Sequence, residues 1–126
     1  MRNAKWGLCL VLMAVIAGCG SQEQQAIWTA EKAVKAKLKD PASARFKHTY
    51  LVVNEERSVG GFTSGTVCGV VEGKNSFGAY ADPQRFVATA VMGDGVLDVS
   101  NVQMEGHGVD AQAFLNVYWL PCNNER

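Results

Sequence analysis

The spacing of apolar residues changes character three times along the chain. Trp6 to Gly18 is an unbroken uncharged run. From Ser21 to Asp40 the apolar positions Ile27, Ala30, Val34 and Leu38 recur every three or four residues, the repeat of one helix face. Ser21 and Gln24 stand at capping-box spacing, and lysines 35, 37 and 39 suit the negative end of the helix dipole. Pro41 disfavours helical geometry at Asp40 and ends the run. Asp40 and Pro41 then form the cap and first position of a second short turn. Trp28 is expected at the edge of the core.

Beyond Ala44 the period becomes two. Residues 45–53, RFKHTYLVV, set Phe46, His48, Tyr50 and Val52 against Lys47, Thr49, Leu51 and Val53, which predicts a strand. Residues 54–65 read as a polar, glycine-rich turn region. Further strands are predicted over 66–73, 85–92 and 96–104, the last two joined through Gly93-Asp94-Gly95, a strong hairpin signal. Helical spacing returns with Ala113, Phe114 and Val117 behind Asp110 as cap, and Pro121 stops it. The predicted class is α+β: an N-terminal helix, a four-stranded antiparallel meander sheet and a short C-terminal helix.

The opening segment carries an address. Arg2 and Lys5 precede the apolar run, which is too short for a bilayer span of about 20 residues and fits the core of a signal peptide. Ile16-Ala17-Gly18-Cys19 then resembles the lipobox of bacterial lipoproteins. The resemblance implies cleavage before Cys19 and acylation of that cysteine, giving an anchor of two or more acyl chains that holds stably in a bilayer. Residues 1–18 are then signal peptide, 19–25 a lipidated tether and 26–126 one α+β domain. Gly20 stands where an aspartate marks inner-membrane retention in Gram-negative lipoproteins, so the resemblance implies the periplasmic face of the outer membrane.

Charge narrows the partners. Twelve basic and twelve acidic residues balance over the whole chain, and loss of Arg2 and Lys5 with residues 1–18 leaves ten against twelve, a net of −2. That is no footprint for nucleic acid. Lys35 and Lys39 share a helix face, interleaved with acids such as Glu31 one turn before Lys35, the pattern of a solvated face. With Cys9 in the signal peptide and Cys19 acylated, Cys68 and Cys122 are left in an oxidising compartment, where a disulfide is expected. The alternative is a reactive thiol at Cys68.

Chemistry-bearing motifs are few. GKNS at 73–76 fails as a phosphate loop, since position 68 is Cys rather than Gly and position 75 is Asn rather than Ser or Thr. His48 and His107 stand far apart, and Glu105 with His107 makes an incomplete metal set. No nucleophile elbow occurs. No cofactor, metal or catalytic residue is therefore assigned. The segment 73–86 is richer: Lys74, Asn75, Ser76, Phe77 and Tyr80 form a candidate recognition loop that could stack on a sugar or grip a protein. The alternative has Phe77 and Phe86 filling the core and Asn75 bonding its own backbone.

Two segments carry a further resemblance. LKDPASARF (38–46) and VCGVVEGKNSFGAYADPQRFV (67–87) resemble small exported bacterial and phage-related proteins of unassigned activity, with a K-D-P-x-S-A-x-F segment and a later C-G-x-V-N-x-K-N-x-x-G-x-Y-x-G-x-x-x-F segment. The matching positions are Lys39, Asp40, Pro41, Ser43, Ala44, Phe46, Cys68, Gly69, Val71, Lys74, Asn75, Gly78, Tyr80 and Phe86. Glu72 and Asp82 depart from the usual Asn and Gly. The expected function is a membrane-anchored, non-enzymatic binding module for an envelope protein or glycan, with the 73–86 loop and the 57–65 turn as contact surfaces. The alternatives are an inhibitor or exclusion factor against an incoming enzyme or phage, and a thiol enzyme or hydrolase.

Overall fold

The Ser21 hydroxyl oxygen accepts the Gln24 backbone N–H at 3.2 Å and starts helix α1 (Gln22–Lys35) in the computed structural model, which describes residues 21–108 and 110–124. Residues 22–25, expected in the tether, form the first turn of α1. Its buried stripe is Ala26, Ala30 and Val34, one residue every four, with Ile27 alongside. Trp28 stands about 200° around the helix from Ala26, so it is half exposed and not at the core edge. The helix also stops short of Asp40. After Lys35 the chain tightens into turns, Lys37 N–H to Val34 O and Leu38 N–H to Lys35 O, which drop Leu38 against Gly73. A 3-10 turn at Pro41–Ser43 follows. The Asp40 side chain makes no cap bond there; the Ser43 hydroxyl donates back to the Asp40 carbonyl at 2.7 Å.

Four strands, β1 (Arg45–Val59), β2 (Phe62–Glu72), β3 (Gln84–Gly93) and β4 (Val96–Met104), form one antiparallel sheet in the order β1-β2-β3-β4. Together with the helices this is an α+β arrangement. The first hairpin turns at Gly60-Gly61, both at positive φ, so most of the polar stretch expected as a loop over 54–65 is strand. Polar residues suit this strand because β1 is an edge strand. The second hairpin turns at Asp94-Gly95, also at positive φ.

Each edge strand carries a one-residue bulge. Lys47 pairs with Val70 and Tyr50 with Cys68, so β1 uses three steps where β2 uses two, with His48 at φ 51°. Gln103 pairs with Val87 and Ser100 with Thr89, the same excess in β4, with Asn101 at φ 51°. The simple alternation expected over 45–53 is thereby broken. Phe46 and Leu51 lie on the α1 side, whereas Tyr50 and Val52 lie on the opposite face.

The sheet buries side chains on both faces. Val67, Val71, Phe86, Ala88, Ala90, Met92 and Met104 pack beneath α1. Gly69 makes this possible: a Cβ there would sit 2.5 Å from the Phe86 ring, which meets Phe46 edge-on at 5.7 Å between centroids. On the other face Cys68 and Val87 meet Phe114 and Cys122 from the C-terminal segment. Only Ala111–Ala113 of that segment is α-helical, with Asp110 Oδ1 accepting the Ala113 N–H at 2.9 Å. A wider π-type turn over Phe114–Tyr118 and a 3-10 turn over Leu120–Asn124 follow, so Pro121 lies inside the last turn and does not stop a regular helix. Val117 is consequently exposed while Phe114 is fully buried. Among the described residues, no helix is long and apolar enough to cross a membrane.

Candidate functional site

The 73–86 segment is a tight secondary hairpin followed by the first residues of β3. Lys74 and Tyr80 pair across it as an antiparallel bridge, and the Ala81 N–H donates to the Gly73 carbonyl at 2.9 Å. Asn75 organises the tip. Its side-chain oxygen accepts the N–H groups of Phe77 (2.9 Å) and Ala79 (3.2 Å), while its own N–H donates to the Ala79 carbonyl at 2.7 Å. Gly78 closes the turn at φ +79°, where a β-carbon would be strained. Asn75 thus bonds its own backbone, as the structural alternative required, and Phe86 fills the core. Phe77 does not: it is 95% exposed, because a five-residue turn satisfied within itself leaves no path for its tip to fold inward.

The base of this hairpin is bolted to the turn that follows α1. The Lys74 N–H donates to the Ser43 hydroxyl at 2.8 Å, and the Tyr80 hydroxyl donates to the Ser43 carbonyl at 3.1 Å. The Arg45 guanidinium lies 3.3 Å from the centre of the Tyr80 ring, a close cation–π stack, with the Lys74 ammonium at 5.6 Å. Across the β1–β2 pair, Glu72 takes a hydrogen bond from Lys47 at 2.9 Å and lies 3.7 Å from Arg45. The Lys47 hydrogen bond holds the Glu72 carboxyl below the ordinary 4.5; desolvation opposes this, and the charges of Lys47 and Arg45 add to it. Arg45 and Lys47 were not singled out from sequence, and Ser43 was named there only as a matching position and not as a site residue. The available signal was that Ser43 belongs to the first resembling segment, which the fold docks onto the second.

A groove of about 190 Å³ lies beside the hairpin, between the turn after α1 and the loop after β4. Leu38 and Gly73 line its apolar part; Lys39, Lys74, Asp82 and His107 bring charge and a titratable ring to it. His107 shares a hydrogen bond with Gln84 at 3.2 Å, and Glu105 pairs with Arg85 at 3.3 Å. No group of three metal-ligating side chains occurs among the described residues.

The expected contact surfaces therefore separate. Lys74, Asn75, Ser76, Phe77 and Tyr80 come together at one end of the sheet. The 57–65 segment lies at the other end, where the β1–β2 turn approaches the β3–β4 turn so closely that Gly93 has no room for a Cβ beside the Gly61 carbonyl. Cys68 and Cys122 form a disulfide and are both buried, so neither offers a thiolate. Cys19, the expected lipid attachment, lies outside the described residues. No family model matches the chain, and no curated protein or solved structure matches it.

Proposed function

We propose that the protein is a bacterial envelope lipoprotein, anchored through acylated Cys19, whose domain binds another envelope component without catalysing a reaction. The N-terminal helix follows the anchor, the meander sheet supplies a rigid body, and the 74–80 hairpin supplies the contact. The observation that carries this reading is Phe77, 95% exposed on a turn whose backbone is locked by Asn75. An aromatic side chain carried on a locked backbone loses no backbone freedom on docking and can fill a pocket on a partner.

The division of labour along the hairpin supports it further. Positions that match the resembling segments have structural tasks: Gly69 admits Phe86, Asn75 and Gly78 shape the turn, and Tyr80 reaches Ser43. Within the tip, the positions that pattern leaves open, Ser76, Phe77 and Ala79, are exposed. A hydrogen-bonded frame with an exposed tip suits a recognition element.

The test uses a soluble Cys19→Ser form, exported with a different signal peptide, to capture partners from envelope extracts. Phe77→Ala is expected to keep its melting temperature and lose the captured component. Unchanged capture by Phe77→Ala would overturn the assignment of the tip. Capture of an incoming phage protein or enzyme would select the exclusion-factor form of the same binding role. The anchor is checked separately by the mass of the mature N-terminal peptide, and an unmodified Cys19 would remove it.

A further inference from the structure

We infer that the two hairpin tips beside the start of α1 form an apolar rim that contacts the bilayer, an inference that rests on the lipid anchor proposed above. Ser21 already caps α1, so only Gly20 stands between Cys19 and the cap. Two residue steps reach at most about 7 Å. Whatever shares that end of the fold lies within reach of the headgroups, where its own side chains decide whether it stays in contact.

Both hairpin tips share it. The Gln22 side-chain amide donates to the Val96 carbonyl at 3.2 Å, which fixes the β3–β4 turn beside the first turn of α1. Thr63 pairs with Met92, and Gly93 abuts the Gly61 carbonyl, which brings the β1–β2 turn next to it. The side chains presented there are apolar: Val59 is 69% exposed, Val96 49% and Phe62 37%. Within 59–62 and 93–96 the single charged residue is Asp94, and no lysine or arginine occurs. The contact inferred is shallow insertion of these apolar side chains into the interface. The Phe77 hairpin lies at the far end, since Leu38 beyond the C-terminus of α1 packs on Gly73. The 14 residues of α1 alone separate the two ends by about 21 Å. The bilayer thus takes one end of the domain and leaves Phe77 facing away.

The experiment uses the full lipidated chain, isotope-labelled, in nanodiscs of phosphatidylethanolamine and phosphatidylcholine with a nitroxide on the headgroup. Amide signals of Gly60, Gly61 and Gly95 are expected to broaden beyond detection, while those of Phe77 and Gly78 stay sharp. The lipidated triple variant Val59→Ser, Phe62→Ser, Val96→Ser should recover tip signals. Equal broadening at both ends, or sharp tips in the unmutated chain, would overturn the rim. So would tip signals that shift with protein concentration, the mark of a second copy covering them. The mass of the N-terminal peptide from the same sample separates the two readings. A lipidated Cys19 with sharp tips removes the rim alone, and an unmodified Cys19 removes both.

Discussion

Replacing Cys68 and Cys122 together by alanine is expected to destabilise the domain by about 4 kcal/mol, a figure that follows from the length of chain the bridge closes. The two cysteines are separated by 54 positions, and the loss of chain entropy in the unfolded state for a loop of that size is worth about 4 kcal/mol at 25 °C. For a domain of this size each kcal/mol moves the midpoint by roughly 4–8 °C, so the melt should fall by about 15–30 °C. The bridge also carries a local role. It clamps the C-terminal segment onto the sheet, where Phe114 is fully buried, helped by the Tyr50 hydroxyl donating to the Cys122 carbonyl at 3.1 Å. Near-ultraviolet circular dichroism should then lose the signal of Trp119, whose ring lies 6.1 Å from that of Phe114. The assay is a thermal melt of the soluble form followed by that signal and by far-ultraviolet ellipticity, with the reduced native protein alongside. A midpoint within about 5 °C of the native value would refute the reasoning, because about 1 kcal/mol is too little for a closed loop of this length.

Gly69→Ala is expected to cost at least about 1–3 kcal/mol in a urea melt, since the new methyl would lie 2.5 Å from the buried Phe86 ring and 3.0 Å from the Thr49 hydroxyl. Thr49→Val should leave the protein as stable or raise it by about 1 kcal/mol, because the Thr49 hydroxyl oxygen is buried without a hydrogen-bond partner among the described residues; a loss of that size would mean the hydroxyl has a partner in solution. Asn75→Ala should barely move the melt while speeding hydrogen exchange at the Phe77 and Ala79 amides, the two donors to its side chain. The depressed Glu72 carboxyl favours the folded state above the ordinary 4.5, and that contribution is lost as pH falls through the lower folded value. Stability of the native protein should therefore fall more steeply below pH 4.5 than that of Glu72→Gln, and parallel pH profiles of the two would contradict the linkage.

What sequence alone conveys here depends on whether the signal is local. The Asp94-Gly95 turn and the central strands β2 and β3 were legible because turn chemistry and alternation lie within a few residues. The bulges at His48 and Asn101 were not: alternation assumes one residue per step, and an inserted residue reverses every later assignment without leaving an apolar signature. That is why Tyr50 and Val52 were placed on the face of Phe46 and lie on the opposite one. Trp28 shows a related blindness. Ring size favours burial, but two alanines and a valine at fourfold spacing let α1 sit close to the sheet and turn the large ring outward.

The candidate hairpin combines both cases. Its order was legible from Gly78, Asn75 and the aromatic residues, yet whether Phe77 pointed in or out depended on hydrogen bonds closed within five residues. The docking of its base was a long-range fact, set by Ser43 accepting from Lys74 and Tyr80 across 31 and 37 positions. Those two bonds do more than order a loop. They fasten the hairpin to the end of α1 remote from Ser21, so the side chain most exposed to a partner and the residue proposed to carry the lipid are held apart by the rigid length of one helix. Under the proposed anchor, a flexible linker would let the domain tumble at the membrane, whereas a cap at Ser21, two positions after Cys19, would restrict it and set Phe77 at the far end.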